Sequence, residues 1–179
     1  AFCTGYPDSS CENLRGRLSE LTGVPEDQMI FGNGAAELIF RLVQEVRPKK
    51  AVIPAPSFAE YETALRSCGT EIAFFYLKEA ESFFLNISEF LDFLRTEQPE
   101  IIFLCTPANP TGAMIRQADL SKILDYCKKH GILLVLDECF VEFLDEERSC
   151  GCIREFLDWE TGRPEHGGDL FLLRAFTKT

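Results

Sequence analysis

At 179 residues, with 46% hydrophobic and 26% charged residues and a formal net charge of −11, the chain has material for one buried core and reads as a single soluble domain. The acidic balance excludes nucleic acid and an anionic membrane surface as partners. No apolar run, Ile132–Leu136 included, approaches the length of a membrane span, and no leader pattern is visible. The cysteines are scattered, with Cys68, Cys105, Cys127 and Cys139 inside predicted helices or strands. That usage predicts a reducing cytoplasm with thiols acting as small hydrophobes. Cys150 and Cys152 form the one close pair, and with His130 and His166 as the only histidines no metal site is expected.

In chain order, residues 1–11 are a polar, turn-like N-terminal segment around Tyr6-Pro7-Asp8. Leu14, Leu18 and Leu21 share a helical face, which predicts a helix over 12–21 ended by Thr22-Gly23-Val24-Pro25. Met29-Ile30-Phe31 reads as a short strand, Gly32-Asn33-Gly34 as a tight turn, and 35–46 as a helix with Leu38, Ile39, Leu42 and Val43 inward. A strand at 51–53 leads through Pro54-Ala55-Pro56-Ser57 to a helix over 58–68 closed by Gly69. A strand follows at 71–77, then a helix capped by Asn86 or Ser88 and running to about Thr96. Ile101–Leu104 is an apolar strand, 106–112 a loop with two prolines, 117–130 a helix capped by Gly131, and Ile132–Leu136 a buried strand. Residues 145–168 read as a charged surface excursion, and Leu170–Phe176 as the last strand. Alternation of strand and helix, with continuous apolar strands, predicts an α/β fold: a mostly parallel sheet with helices on both faces.

In such sheets ligands bind beyond the carboxyl ends of the strands. After Phe31 the string Gly32-Asn33-Gly34-Ala35-Ala36-Glu37 opens a helix. It reads either as an ordinary glycine turn or as a phosphate cradle made of free N–H groups at a positive dipole end. After Ile53, two prolines hold Phe58 rigidly, either in the core or as a plate for a flat ring. After Leu104, prolines flank Asn109, whose amide gains a fixed direction. After Leu136 stands Asp137, a carboxylate at the end of a buried strand that needs an N–H or cationic partner. Pairing with Arg174, a helix cap, and a protonated ring nitrogen are the alternatives. After Phe176 comes Thr177-Lys178; lysine at such a place suits Schiff-base chemistry. A phosphate cradle, an aromatic plate, an amide, a buried carboxylate and a lysine together match one ligand, pyridoxal 5′-phosphate.

The motifs GNGAAE (32–37), PSFAEY (56–61), LCTPANPTG (104–112), LDECFVEF (136–143) and LRAFTK (173–178) run through the whole chain. With them the sequence resembles fold-type I pyridoxal-phosphate enzymes of the class I/II aminotransferase family. The resemblance implies the cofactor-binding large domain over 1–179, without the small C-terminal domain. It makes Lys178 the Schiff-base lysine and Asp137 the partner of the pyridinium. Asn109 would contact the ring hydroxyl, and Phe58 would stack on the ring. Gly34, Ala35 and Ala36, with the Thr177 hydroxyl, would hold the phosphate. Tyr6 would reach the phosphate of a neighbouring subunit, which implies a homodimer.

Phe140 stands three residues after Asp137, where the family's aminotransferases usually carry tyrosine, and Ala175 stands where Ser or Thr is usual. Phe140 matches the decarboxylase branch. The expected activity is therefore decarboxylation of L-threonine O-3-phosphate for cobalamin biosynthesis in the cytoplasm. Transamination of histidinol phosphate or of an aromatic amino acid is one alternative, and a catalytically silent domain without cofactor another. The family's phosphate and substrate arginines lie downstream of the lysine. A longer polypeptide is therefore expected; a protein ending at Thr179 would retain cofactor weakly and not turn over.

Overall fold

The computed structural model of the chain describes residues 8–144 and 170–175. Five strands form one sheet: β1 (Lys50–Ala55), β2 (Glu71–Tyr76), β3 (Ile101–Cys105), β4 (Leu133–Asp137) and β5 (Leu170–Leu173), in the order β2-β1-β3-β4-β5. Every neighbouring pair is parallel. The helices are α1 (Glu12–Thr22), α2 (Ala35–Val46), α3 (Ala59–Ser67), α4 (Ile87–Glu97) and α5 (Gln117–His130). None of them is long and apolar enough to cross a membrane.

The strands carry apolar residues without polar alternation because both sheet faces are covered. Ala51, Ile53, Ile101, Phe103 and Val135 pack on one face with Ile39 and Val43 of α2 and Tyr61, Ala64 and Leu65 of α3. Val52, Ile102, Leu104, Leu134 and Leu136 pack on the other with Phe90 and Leu94 of α4 and the inner stripe of α5. Local chemistry sets the helix ends. Asn86 caps α4, accepting from the N–H groups of Ser88 (3.1 Å) and Glu89 (3.3 Å). Gly131 closes α5 at φ +64°, its N–H bonded to the Cys127 carbonyl.

From β1 the chain moves to β2 on one side, then crosses back to β3 on the other. The connections diverge between β1 and β3, so a crevice opens there at the carboxyl ends.

One expected strand is absent. Met29-Ile30-Phe31 is extended but unpaired, and Ile30 is exposed. Its polar groups are met locally instead: Arg15 donates from Nη1 to the carbonyls of Glu26 and Met29 and lies 5.1 Å from the centre of the Phe31 ring. An apolar triplet becomes a strand only where a neighbour offers backbone partners, and here an arginine takes that role. The last strand also stops early, at Leu173, because the next residue turns to an ion pair described below. The region 145–168, read as a surface excursion, lies outside the described residues.

Candidate active site

The Gly32–Glu37 string forms the N-terminus of α2. Gly34 is its cap, at φ +88° and ψ 163°, a backbone region open to glycine alone. A Cβ on Gly32 would stand 2.9 Å from Leu38 Cδ2, so a side chain there would have to displace Leu38. Gly34 has no side chain to cap the first turn, and the Ala35 and Ala36 N–H groups have no acceptor within the helix. Glu37 turns back to accept from the Asn33 N–H (2.7 Å) and side-chain amide (3.0 Å), which fixes the loop. These bonds hold the Glu37 carboxyl below its ordinary pKa, the backbone N–H contributing most.

Asp137 ends β4 and is 4% exposed. Residues alternate along the strand, so Asp137 follows Val135 onto the α2/α3 face. There its Oδ2 accepts from the Tyr61 hydroxyl at 2.5 Å, and its Oδ1 accepts from the Cys139 N–H at 2.9 Å. Burial, and next the Asp137 charge, push the Tyr61 hydroxyl far above the ordinary phenol range, so it stays a donor. Tyr61 is held by stacking on Phe103 at 4.9 Å and by the edge of Phe58 at 5.6 Å. Across the register from Asp137 lies Cys105, whose thiol donates to the Pro107 carbonyl. Burial first, then the Asp137 charge, push that thiol up to about 11.

Asn109 follows β3, and its backbone amide faces Cys105. Asn109 lines a solvent-open cleft between the ends of β1 and β3. Pro54, Tyr61, Phe103, Cys105 and Met114 line it as well. Phe58, Tyr61, Asp137, Cys105 and Asn109 thus form one continuous set of contacts, and Ala35 packs on the same core cluster. Gly34, Ala36, Phe58 and Asp137 lie outside the lining of the cleft itself.

Arg174 does not pair with Asp137. It bonds Glu138 Oε2 through Nε (3.0 Å) and Nη2 (2.8 Å), and Glu142 through Nη1 (3.2 Å). Glu138 is 1% exposed, and its N–H donates to the Leu173 carbonyl, so the ends of β4 and β5 are tied together. Ala175, beyond β5, packs against the α2/α3 core cluster. Tyr6, Thr177 and Lys178 lie outside the described residues.

The sequence reading singled out Asp137 but missed Tyr61 and Arg174–Glu138. Tyr61 stands one helical turn after Phe58 with no role of its own in the sequence; the signal available was its place on the helix face turned to the sheet.

The polar groups gathered at the ends of β1, β3 and β4 stand where open α/β enzymes hold a small-molecule ligand, and the whole architecture is that of a fold-type I large domain. The chain belongs to the aminotransferase class I and II family, whose description matches residues 3–179. It is thus part of an enzyme of the pyridoxal 5′-phosphate-dependent kind. It is 39% identical over 142 residues to the threonine-phosphate decarboxylase of Salmonella typhimurium, covering 79% of this chain and 38% of that protein. It is 31% identical over 162 residues to the histidinol-phosphate aminotransferase of Methanosarcina mazei, covering 88% of this chain and 42% of that protein. The solved structure of a decarboxylase from Sulfurospirillum multivorans shares the fold at a TM-score of 0.82 and 24% identity, over 98% of this chain and 42% of that one. The chain spans about 40% of the length of the curated relatives it matches.

Proposed function

We propose that this chain carries the cofactor site of a cytoplasmic, homodimeric enzyme that decarboxylates L-threonine O-3-phosphate, supplying aminopropanol phosphate for cobalamin side-chain assembly. The donor set fits pyridoxal phosphate. The N–H groups of Ala35 and Ala36, which follow the Gly34 cap and have no acceptor within the helix, suit the phosphate. Asp137 has two hydrogen bonds on two oxygens that can accept about four, so lone pairs remain for a ring N–H. Asn109 addresses the ring hydroxyl, and Phe58 a ring face. Lys178, with Thr177 beside it, is the covalent attachment point, and Tyr6 reaches the partner subunit's phosphate.

When bound, the cofactor supplies an electron sink for the pair released as carbon dioxide leaves. The chain's own work is electrostatic. Asp137 holds a proton at the ring nitrogen, and the α2 N-terminus anchors the far end of the ring system.

The observation that favours a lyase is Phe140. Its ring packs on the core beside Phe143, and it carries no hydroxyl where the family's aminotransferases have tyrosine. The likeness to the decarboxylase of Salmonella typhimurium supports the same reading. The intact protein given threonine phosphate is expected to release carbon dioxide and form aminopropanol phosphate. Formation of a 2-oxo acid, with glutamate made from 2-oxoglutarate, would overturn it. The similarity to the Methanosarcina mazei enzyme favours histidinol-phosphate transamination as the second reading.

A further inference from the structure

We infer that Tyr61 is a positioning residue for the cofactor: its hydroxyl takes up part of the Asp137 charge and, with the Cys139 N–H, fixes the carboxylate so that the remaining charge faces the ring nitrogen. The inference deepens the reading in which Asp137 partners that nitrogen, and rests on it.

The geometry carries it. The Tyr61–Asp137 bond is 2.5 Å and joins α3 to the end of β4 across a separation of 76 residues. Tyr61 is 1% exposed, so its hydroxyl does not touch bulk water. Its ring is immobilised between Phe103 and Phe58. A hydrogen bond from a neutral donor to a buried carboxylate is short and strong. It draws charge toward the donor, and whatever charge it draws is withheld from any other N–H on the same carboxylate.

No other charged group competes for the role among the described residues. The titratable groups facing Asp137 are Tyr61 from α3 and Cys105 from β3. The Cys105 thiol donates to the Pro107 carbonyl, and burial keeps it protonated. α2 turns Ala35, Leu38, Ile39, Leu42 and Val43 to this cluster. From beyond β5, Arg174 is engaged by Glu138 and Glu142. Tyr61 is thus the side chain that donates to Asp137, alongside the backbone N–H of Cys139.

The test uses the intact protein loaded with pyridoxal phosphate labelled with 15N in its ring, and reads the ring-nitrogen resonance at one neutral pH. Tyr61→Phe keeps the ring and removes the donor. More of the Asp137 charge then faces the cofactor, and the resonance moves toward that of a fully protonated pyridinium. Replacing Tyr61 with 3-fluorotyrosine strengthens the donor and moves the resonance the opposite way. This second variant keeps the hydroxyl, so the test stands even if the phenylalanine variant folds poorly. In Tyr61→Phe the substrate KM stays within about twofold, since Tyr61 acts through the cofactor and does not touch substrate. Resonances unmoved in both variants, or moved in the same direction, would overturn the inference. Asp137→Asn separates the underlying reading: a ring nitrogen that stays protonated in that variant removes Asp137 as its partner, whatever Tyr61 does.

Discussion

Replacing Asp137 with asparagine in the intact protein weakens pyridoxal phosphate binding by about 10- to 150-fold, the equivalent of one hydrogen bond to a charged group at about 1.5–3 kcal/mol. Turnover falls further, by about 10²–10³-fold, because the lost charge also serves the transition state. The expectation follows from burial and pairing. Asp137 is almost wholly removed from water, and each of its oxygens accepts one protein donor. An amide keeps the shape and one acceptor but presents a donor where the carboxylate presented charge. Titration of the cofactor-free variant with pyridoxal phosphate, followed by its fluorescence, measures the first effect; steady-state carbon dioxide release measures the second. A variant that binds and turns over like the parent would remove Asp137 from the site.

The second large effect falls on stability. Phe103 sits in β3, 1% exposed, between the sheet and α3, with the Tyr61 ring stacked on it. Truncation to alanine removes an aromatic side chain from a packed centre and costs about 3–5 kcal/mol. Domains are stable by only about 5–15 kcal/mol, so this single change uses a large part of the margin. At about 2–4 °C per kcal/mol for a domain of this size, the melting temperature drops by about 6–20 °C. Thermal unfolding followed by circular dichroism checks it. Phe103→Leu, which keeps most of the volume, loses much less. The same truncation frees Tyr61 from its stacking partner, so cofactor affinity in Phe103→Ala falls even below the unfolding transition.

Much of this was legible in the residues. The helices at 35–46 and 117–130 match the expected bounds, because inward periodicity and a glycine or proline at an end leave few alternatives. The strands before Asn109 and Asp137 were visible as apolar runs of strand length, and strand–helix alternation gave the parallel sheet. Asn86 was one of two expected caps, and its side chain accepts both N–H groups. Met29–Phe31 differs from the expected strand because apolarity is local while pairing is not: among the described residues no strand lies beside it, and Arg15 holds the Met29 carbonyl instead. Tyr61 was invisible for the same reason. Its partner is remote in sequence, and a tyrosine at helical spacing looks like any core aromatic until the fold brings α3 over the end of β4. The pairing of Arg174 with Glu138 rather than Asp137 depends on which side of β4 each carboxylate takes, which composition does not encode.

The proposed cofactor is attached at Lys178, and covalent labelling tests this directly. The intact protein is loaded with the cofactor, reduced with borohydride, digested and mapped by mass spectrometry. Loss of the yellow colour and one pyridoxyl modification, on the peptide holding Thr177-Lys178, are expected. An unmodified Lys178, with the label absent or on another lysine such as Lys122, would contradict it.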